Sequence, residues 1–144
     1  MVQIHEDEVF SILTGKVSTA INRTFLRSFA HEGIDITTEQ WSVLACLWKK
    51  DRVTQQTLCT LTSKDKPSMT RLIDNLEKRE LVMRIADIHD RRSNLILLTQ
   101  NGLDLQQKAT QIVQTIAAKT LNNISDEEMN ISRTVLKKIM ANLQ

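Results

Sequence analysis

The chain has 144 residues, 41% of them hydrophobic and 25% charged, with a formal net charge of +2. That length supports one domain with its own core and is short for two. No apolar run is long enough to cross a bilayer, the first residues show no basic stretch leading into an apolar one, and Cys46 and Cys59 lack CxxC spacing, so no membrane association and a reducing, cytoplasmic setting are expected.

From Glu8 to about His31, Phe10, Leu13, Val17, Ala20, Ile21, Phe25 and Phe29 recur every three to four positions, which predicts one long amphipathic helix ended by Gly33. Thr37-Thr38-Glu39-Gln40 sets a hydroxyl three residues before a Gln, a capping-box signal for a helix through Trp41, Leu44, Leu47 and Trp48. Thr54 can cap a short third helix through Leu58 and Leu61. Asp65, followed by Lys66 and the only proline, can cap a fourth helix from Lys66 to Arg79. After Leu81 the pattern changes. Val82–Ala86 and Asn94–Leu98 are short, branched and apolar around the polar tip Asp87-Ile88-His89-Asp90-Arg91-Arg92, which predicts a two-stranded hairpin. A fifth helix is expected from Thr99 through Ala117. Ser125-Asp126-Glu127-Glu128 is a second capping box and opens a sixth helix to Leu143.

Helix, turn, helix and basic hairpin in that order is the layout of a winged helix-turn-helix, so the fold expected is mainly α, with about six helices and a two-stranded β-hairpin wing. Such a module places one helix in a major groove and its wing in an adjacent minor groove of double-stranded DNA. Residues 49–92 carry 11 Lys/Arg against 7 Asp/Glu, a balance of +4, whereas the remainder carries 8 against 10. A basic centre with acidic flanks fits a DNA-binding module on a different kind of support. One domain, 1–144, is expected, with residues 37–98 as the DNA-binding lobe and 1–36 with 99–144 as a helical dimerisation lobe. The long terminal helices have more apolar face than the module between them can cover, and a homodimer also matches the symmetry of palindromic sites.

On the fourth helix, Met69, Leu72, Ile73 and Leu76 form the core stripe and leave Pro67, Ser68, Thr70, Arg71 and Asn75 outward for the major groove. Arg pairs with guanine, Asn with adenine, and small hydroxyls suit a base edge or a phosphate. Lys64, Lys66 and Lys78 are expected phosphate contacts. Arg91 and Arg92 at the wing tip suit the negative potential of a narrow minor groove. Asp87 and Asp90 beside them either hold an Arg by an ion pair or close the turn by accepting from backbone N–H groups. Phe25, Phe29 and Trp41 are the candidate walls of a pocket for a small aromatic effector. Phe10 and Trp48 are further aromatic candidates for it, and the absence of Tyr removes one convenient partner for a phenol.

The run Arg71-Leu72-Ile73-Asp74-Asn75-Leu76-Glu77-Lys78-Arg79-Glu80-Leu81-Val82, then Asp87-x-x-Asp90-Arg91-Arg92, then Leu98-Thr99-x-x-Gly102, closely resembles the MarR family of bacterial transcriptional regulators. Thr37-Thr38-Glu39-Gln40-Trp41-x-Val43-Leu44 is similar to that family's second-helix opening, and the likeness runs over essentially the whole chain. The resemblance implies a homodimeric winged-helix protein, usually a repressor, with Arg92 as the minor-groove finger oriented by Asp90. It also implies release from DNA by a small aromatic or phenolic compound, or by thiol oxidation. Two departures stand out. Glu80 replaces the usual Gly after the recognition helix, so a differently shaped turn into the wing is expected. No cysteine stands near the start of the first helix, where the peroxide-sensing members carry a reactive one, and Cys46 and Cys59 have the apolar neighbours of core residues.

Nothing in the sequence supports catalysis, a metal or a cofactor. His5, His31 and His89 are scattered surface candidates, and three glycines make no phosphate loop. The rival expectations are a winged helix used for protein interaction and a DNA-packaging protein without sequence preference.

Overall fold

Folding the apolar stripes inward gives six helices and a small sheet. In the computed structural model, which describes residues 10–144 and their side chains from Thr14 onward, these are α1 (Phe10–His31), α2 (Thr38–Lys49), β1 (Val53–Thr54), α3 (Gln55–Thr62), α4 (Lys66–Lys78), β2 (Val82–Ala86), β3 (Asn94–Leu98), α5 (Gln100–Thr120) and α6 (Asp126–Leu143). The expected start of the first helix at Glu8, the surface role of His5 and the side chain of Phe10 lie outside the described residues. No described helix is long and apolar enough to cross a membrane.

The caps form as their sequences suggest. Thr37 and Gln40 close a reciprocal box, the Gln40 side chain accepting from the Thr37 N–H at 3.0 Å and the Thr37 hydroxyl accepting from the Gln40 N–H at 3.1 Å. Thr54, Asp65 and Thr99 accept from the backbone N–H three residues on, and Ser125 pairs with Glu128 in a second box. Each cap satisfies a donor that the helix itself leaves free. Gln40 is the one buried polar residue among the described residues, and its carbonyl oxygen also accepts from Arg79 Nη1 at 3.3 Å, so the start of α2 is tied to the end of α4.

The expected two-stranded wing forms from β2 and β3, and a two-residue strand, β1, joins it in a three-stranded antiparallel sheet of order β1-β3-β2. Val53 and Thr54 pair with Ile96 and Leu95, while β2 pairs with β3 from Val82↔Leu98 to Ala86↔Asn94. A strand of two residues is too short to alternate visibly, and Thr54 also caps α3, which hid β1 in the sequence. Asp51 extends the junction by accepting from the Leu98 N–H at 3.0 Å.

The core lies between α2, α3, α4 and the sheet and continues through Phe25 and Phe29 of α1 to Ala109 and Ile116 of α5. Met69, Ile73 and Leu76 are fully buried against Leu44, Leu47, Leu58 and Ile96, with Leu72 at the margin of the same layer. The turn after α4 departs from expectation. Glu80 keeps the left-handed conformation, at φ +57°, that glycine usually supplies. Its N–H donates to the Glu77 carbonyl at 2.9 Å and the Leu81 N–H to the Leu76 carbonyl at 3.0 Å, a Schellman closure that offsets the cost of a Cβ there.

Gly102, in the first turn of α5, sits against that turn. Any side chain at this position would collide with the Leu81 carbonyl oxygen. Its carbonyl accepts from Trp48 Nε1 at 2.9 Å, and the same Leu81 oxygen accepts from the Thr99 N–H at 3.1 Å. Gly102→Ala is therefore expected to cost about 1–3 kcal/mol by forcing backbone apart. Gly15→Ala, whose Cβ meets nothing within 4 Å inside α1, should be neutral or stabilising by up to about 1 kcal/mol. Urea unfolding of the two variants separates these outcomes.

Candidate nucleic-acid interface

α4 turns its polar face away from the core. Arg71 and Asn75 are exposed and Ser68 partly so, one above another at the expected spacing, with Pro67 and Lys66 exposed in the first turn. Asp65 fixes that turn by accepting from the Ser68 N–H at 2.8 Å, and this bond holds the Asp65 carboxyl below its ordinary pKa, helped by Ser68's side chain and by the charge of Arg71.

Thr70 is placed differently from the other outward residues. Its hydroxyl donates to the Lys66 carbonyl at 2.9 Å and accepts from Gln55 Nε2 at 2.7 Å. It therefore braces α3 against α4 and retains one free lone pair. Lys64 is paired with Glu39 at 3.0 Å, while Lys78 is exposed near the end of α4.

At the wing tip, Arg91 and Arg92 are both exposed. Of the two roles open to the aspartates, the geometry matches turn closure. Asp87 accepts from the His89 N–H and Asp90 from the Arg92 N–H, each at 3.0 Å, and the Asp87 N–H donates to the Ser93 carbonyl at 3.1 Å. Neither aspartate is ion-paired among the described residues. Asp90 thus orients Arg92 through its backbone.

Arg84 was not legible as a functional residue, and it joins the wing to α4. Its guanidinium meets Asp74 at 2.7 Å and Glu77 at 3.0 Å, its backbone N–H donates to Glu77 at 3.1 Å, and it reaches the Thr70 carbonyl at 3.4 Å. The available signal was an Arg inside an apolar strand following two carboxylates spaced i, i+3 on the preceding helix. A cleft of about 530 Å³ opens between α3, α4 and the wing, walled by Gln55, Lys66, Thr70, Arg84 and Arg92. The two predicted reading elements therefore border one concavity.

A second cavity of about 330 Å³ lies between α1, α2 and α5, lined by Ile21, Phe25, Trp41, Val113, Ile116 and Leu121 among others. Two of the three candidate pocket residues are in its wall. Phe29 is corrected to a core residue: it is fully buried and stacks on Phe25 at 4.2 Å, one layer behind the cavity. Trp48 is spent on Gly102. Cys46 is half-buried and Cys59 buried, both as free thiols, and burial pushes the Cys46 thiol up against the opposing pull of Lys49. His31 and His89 are exposed.

Two outcomes follow from these environments. Because the folded pKa of Asp65 is depressed, its contribution to stability is present above the ordinary carboxylate range and is lost as pH falls through the folded value. Asp65→Asn, which keeps an acceptor but cannot titrate, should show a smaller fall in urea midpoint than the wild type between about pH 6 and pH 3. The raised thiol predicts that Cys46 reacts with a disulfide reagent more slowly than free cysteine at neutral pH.

Residues 36–93 match the MarR family. The chain is 26% identical over 110 residues to the transcriptional regulator HosA of Escherichia coli, covering 76% of this chain and 82% of that protein. It is 31% identical to the transcriptional regulator PA3341, with a TM-score of 0.77 over 93% of this chain and 97% of the other. The Staphylococcus aureus MepR structure, a complex with DNA, is 27% identical, with a TM-score of 0.84 over 97% and 100% of the two chains. Members of this family are transcriptional regulators and not enzymes. The likeness spans the winged helix and both terminal helices, and the chain belongs to the MarR family of transcriptional regulators.

Proposed function

We propose that this protein is a homodimeric repressor that binds a palindromic operator through α4 and the wing and is released by a small aromatic effector. The observation that carries the reading is the convergence of Lys66 and Thr70 of α4 with Arg92 of the wing on one cleft, beside the exposed stripe of Ser68, Arg71 and Asn75. A major-groove helix and a minor-groove finger must be held at a fixed separation to follow one face of B-form DNA. The MepR structure, similar in fold and 27% identical, is a complex with DNA, which supports the same partner here.

In this reading residues 37–98 form the DNA-binding lobe, and 1–36 with 99–144 form the dimerisation lobe. α6 supports the dimer, because none of its residues is buried and Ile131, Val135, Leu136, Met140 and Leu143 are exposed along it. Val17 and Leu26 of α1 and Leu121 and Ile124 after α5 extend the uncovered apolar surface. Leaving that much apolar area in water is unfavourable, and a second copy covers it while supplying the second recognition helix. A dimer seated across two successive major grooves excludes other proteins from that DNA, which favours repression. Two free thiols suit a reducing cytoplasm.

Pro67, Ser68, Arg71 and Asn75 are assigned to the major groove, with Thr70 chiefly holding α3 to α4. Lys66 and Lys78 go to phosphates, and Lys64 exchanges Glu39 for a phosphate on binding. Arg91 and Arg92 go to the wing contact, shaped by Asp87 and Asp90. An aromatic effector in the cavity between α1, α2 and α5 acts by favouring a dimer whose recognition helices are misspaced for DNA.

The test is fluorescence anisotropy on the protein's own upstream DNA and on scrambled DNA over a salt series. Arg71→Ala and Arg92→Ala should each weaken specific binding by roughly 5- to 150-fold. Lys78→Ala should weaken both DNAs alike and reduce the salt slope by about 0.9. Equal affinity for the two DNAs would favour packaging, and no binding at low salt would favour a protein partner. Arg84→Ala should lower affinity more than tenfold while costing only about 1 kcal/mol of stability, because a partly exposed pair contributes little to folding. Arg84→Lys should recover part of the affinity through one carboxylate.

A further inference from the structure

Ile88, at the apex of the wing, packs on almost nothing in the fold. It is 92% exposed, more than any other large hydrophobic side chain among the described residues. A lone aliphatic side chain on a surface needs no explanation by itself. This one stands in a chain reversal, where Pro, Gly and short polar residues are the usual choice, so neither packing nor turn chemistry accounts for it. The reversal is also held in shape. β2 and β3 pair as far as Ala86↔Asn94. Beyond that pair the Asp87 N–H donates to the Ser93 carbonyl at 3.1 Å and the Ser93 N–H to the Asp90 carbonyl at 3.0 Å. Asp87 and Asp90 each accept from the backbone N–H two residues on. The tip therefore keeps Ile88 out in water beside Arg91 and Arg92, which are exposed and not ion-paired among the described residues.

The floor of a minor groove presents acceptors at an A·T pair, adenine N3 and thymine O2, and adds the guanine N2 amino donor at a G·C pair. Arg91 and Arg92 offer donors only, so they suit the acceptors and cannot satisfy that amino group. The two aspartates, which could accept from it, are turned onto backbone N–H groups. Ile88 neither donates nor accepts. Seated between the sugar walls beside the arginines, it gains by burial over an A·T pair. Over a G·C pair it strips water from the amino group and gives nothing back. We propose that Ile88 is a specificity-determining residue of the wing, which packs in the minor groove and excludes guanine from the pairs beneath the apex. The inference rests on the DNA-binding reading above. It adds a selectivity that arginine charge, drawn to groove width and potential, does not itself supply.

The test uses duplexes that the full-length protein selects from a random library. Adenine N3 protection from dimethyl sulfate that is lost in Arg92→Ala marks the pairs beneath the wing. Those pairs are then replaced by G·C or by inosine·cytosine, which keeps the major-groove face of G·C and lacks the N2 amino group. The wild type should bind the inosine·cytosine duplex at least about tenfold more tightly than the G·C duplex. Ile88→Ala, at a site exposed enough that folding is not at stake, should lose most of that ratio. Ile88→Asn, which brings a carbonyl oxygen to the amino group, should bind the G·C duplex better than the wild type does. His89→Ala, the exposed neighbour, should keep the wild-type ratio. A ratio unchanged in Ile88→Ala, or one that falls in His89→Ala instead, would overturn the inference and leave the wing contact standing. Wild-type binding that ignores the exchange would also overturn it, with Arg92→Ala still reporting on the wing. A library that yields no bound sequence would overturn the DNA-binding reading as well.

Discussion

Arg84 sets the distance between α4 and the wing, the two arms of the proposed reading surface. Its guanidinium is shared between Asp74 and Glu77 on α4, and its own backbone is clasped by Glu77, so the base of the wing cannot slide along the helix without breaking several bonds together. An isolated surface ion pair contributes little to stability, but here three charged groups define a geometry. The wing tip is a short ribbon with exposed arginines, and its aim is only as good as the strand that carries it. Gln55 and Thr70 do the same between α3 and α4, which leaves α4 braced from both sides.

A second joint connects this reading head to the long helices. Gly102 lets the start of α5 approach the Leu81 carbonyl more closely than any side chain would allow, and Trp48 and Thr99 bond across the same point. Leu81 lies between the end of α4 and the start of β2, so a shift of α5 bears on both arms. The apolar cavity sits on α5 further along, against α1 and α2. In the proposed mechanism a ligand there acts through this contact and through the dimer, and not by touching the DNA-facing residues.

Much of this was legible in the sequence because it is local. Apolar stripes at helical spacing, two capping boxes and a proline in a first turn each refer to residues within a few positions of one another, and the helices formed where they pointed. The exposed stripe on α4 followed from the same periodicity, and the exposed arginines of the wing from a polar tip between two short apolar runs. Pairings between distant segments were not legible. β1 is two residues long and is defined only by its pairing with Ile96 and Leu95; Phe29 becomes core only once Phe25 covers it; Arg84 gains its role from carboxylates that only the folded hairpin brings near. Glu80 is the instructive miss. The cost of its left-handed backbone is visible in the sequence, while the hydrogen bonds that offset it appear only when the helix end closes.

The central claim is that α4 and the wing read DNA together, one in each groove. Dimethyl sulfate footprinting of the protein on its upstream DNA tests both at once, because the reagent methylates guanine N7 in the major groove and adenine N3 in the minor groove. The account predicts two tracts of guanine protection about one helical turn apart, each flanked on its outer side by protected adenines, with Arg92→Ala losing the adenine protection alone. Protection confined to one groove, or loss of guanine protection in Arg92→Ala without loss at adenine, would contradict it.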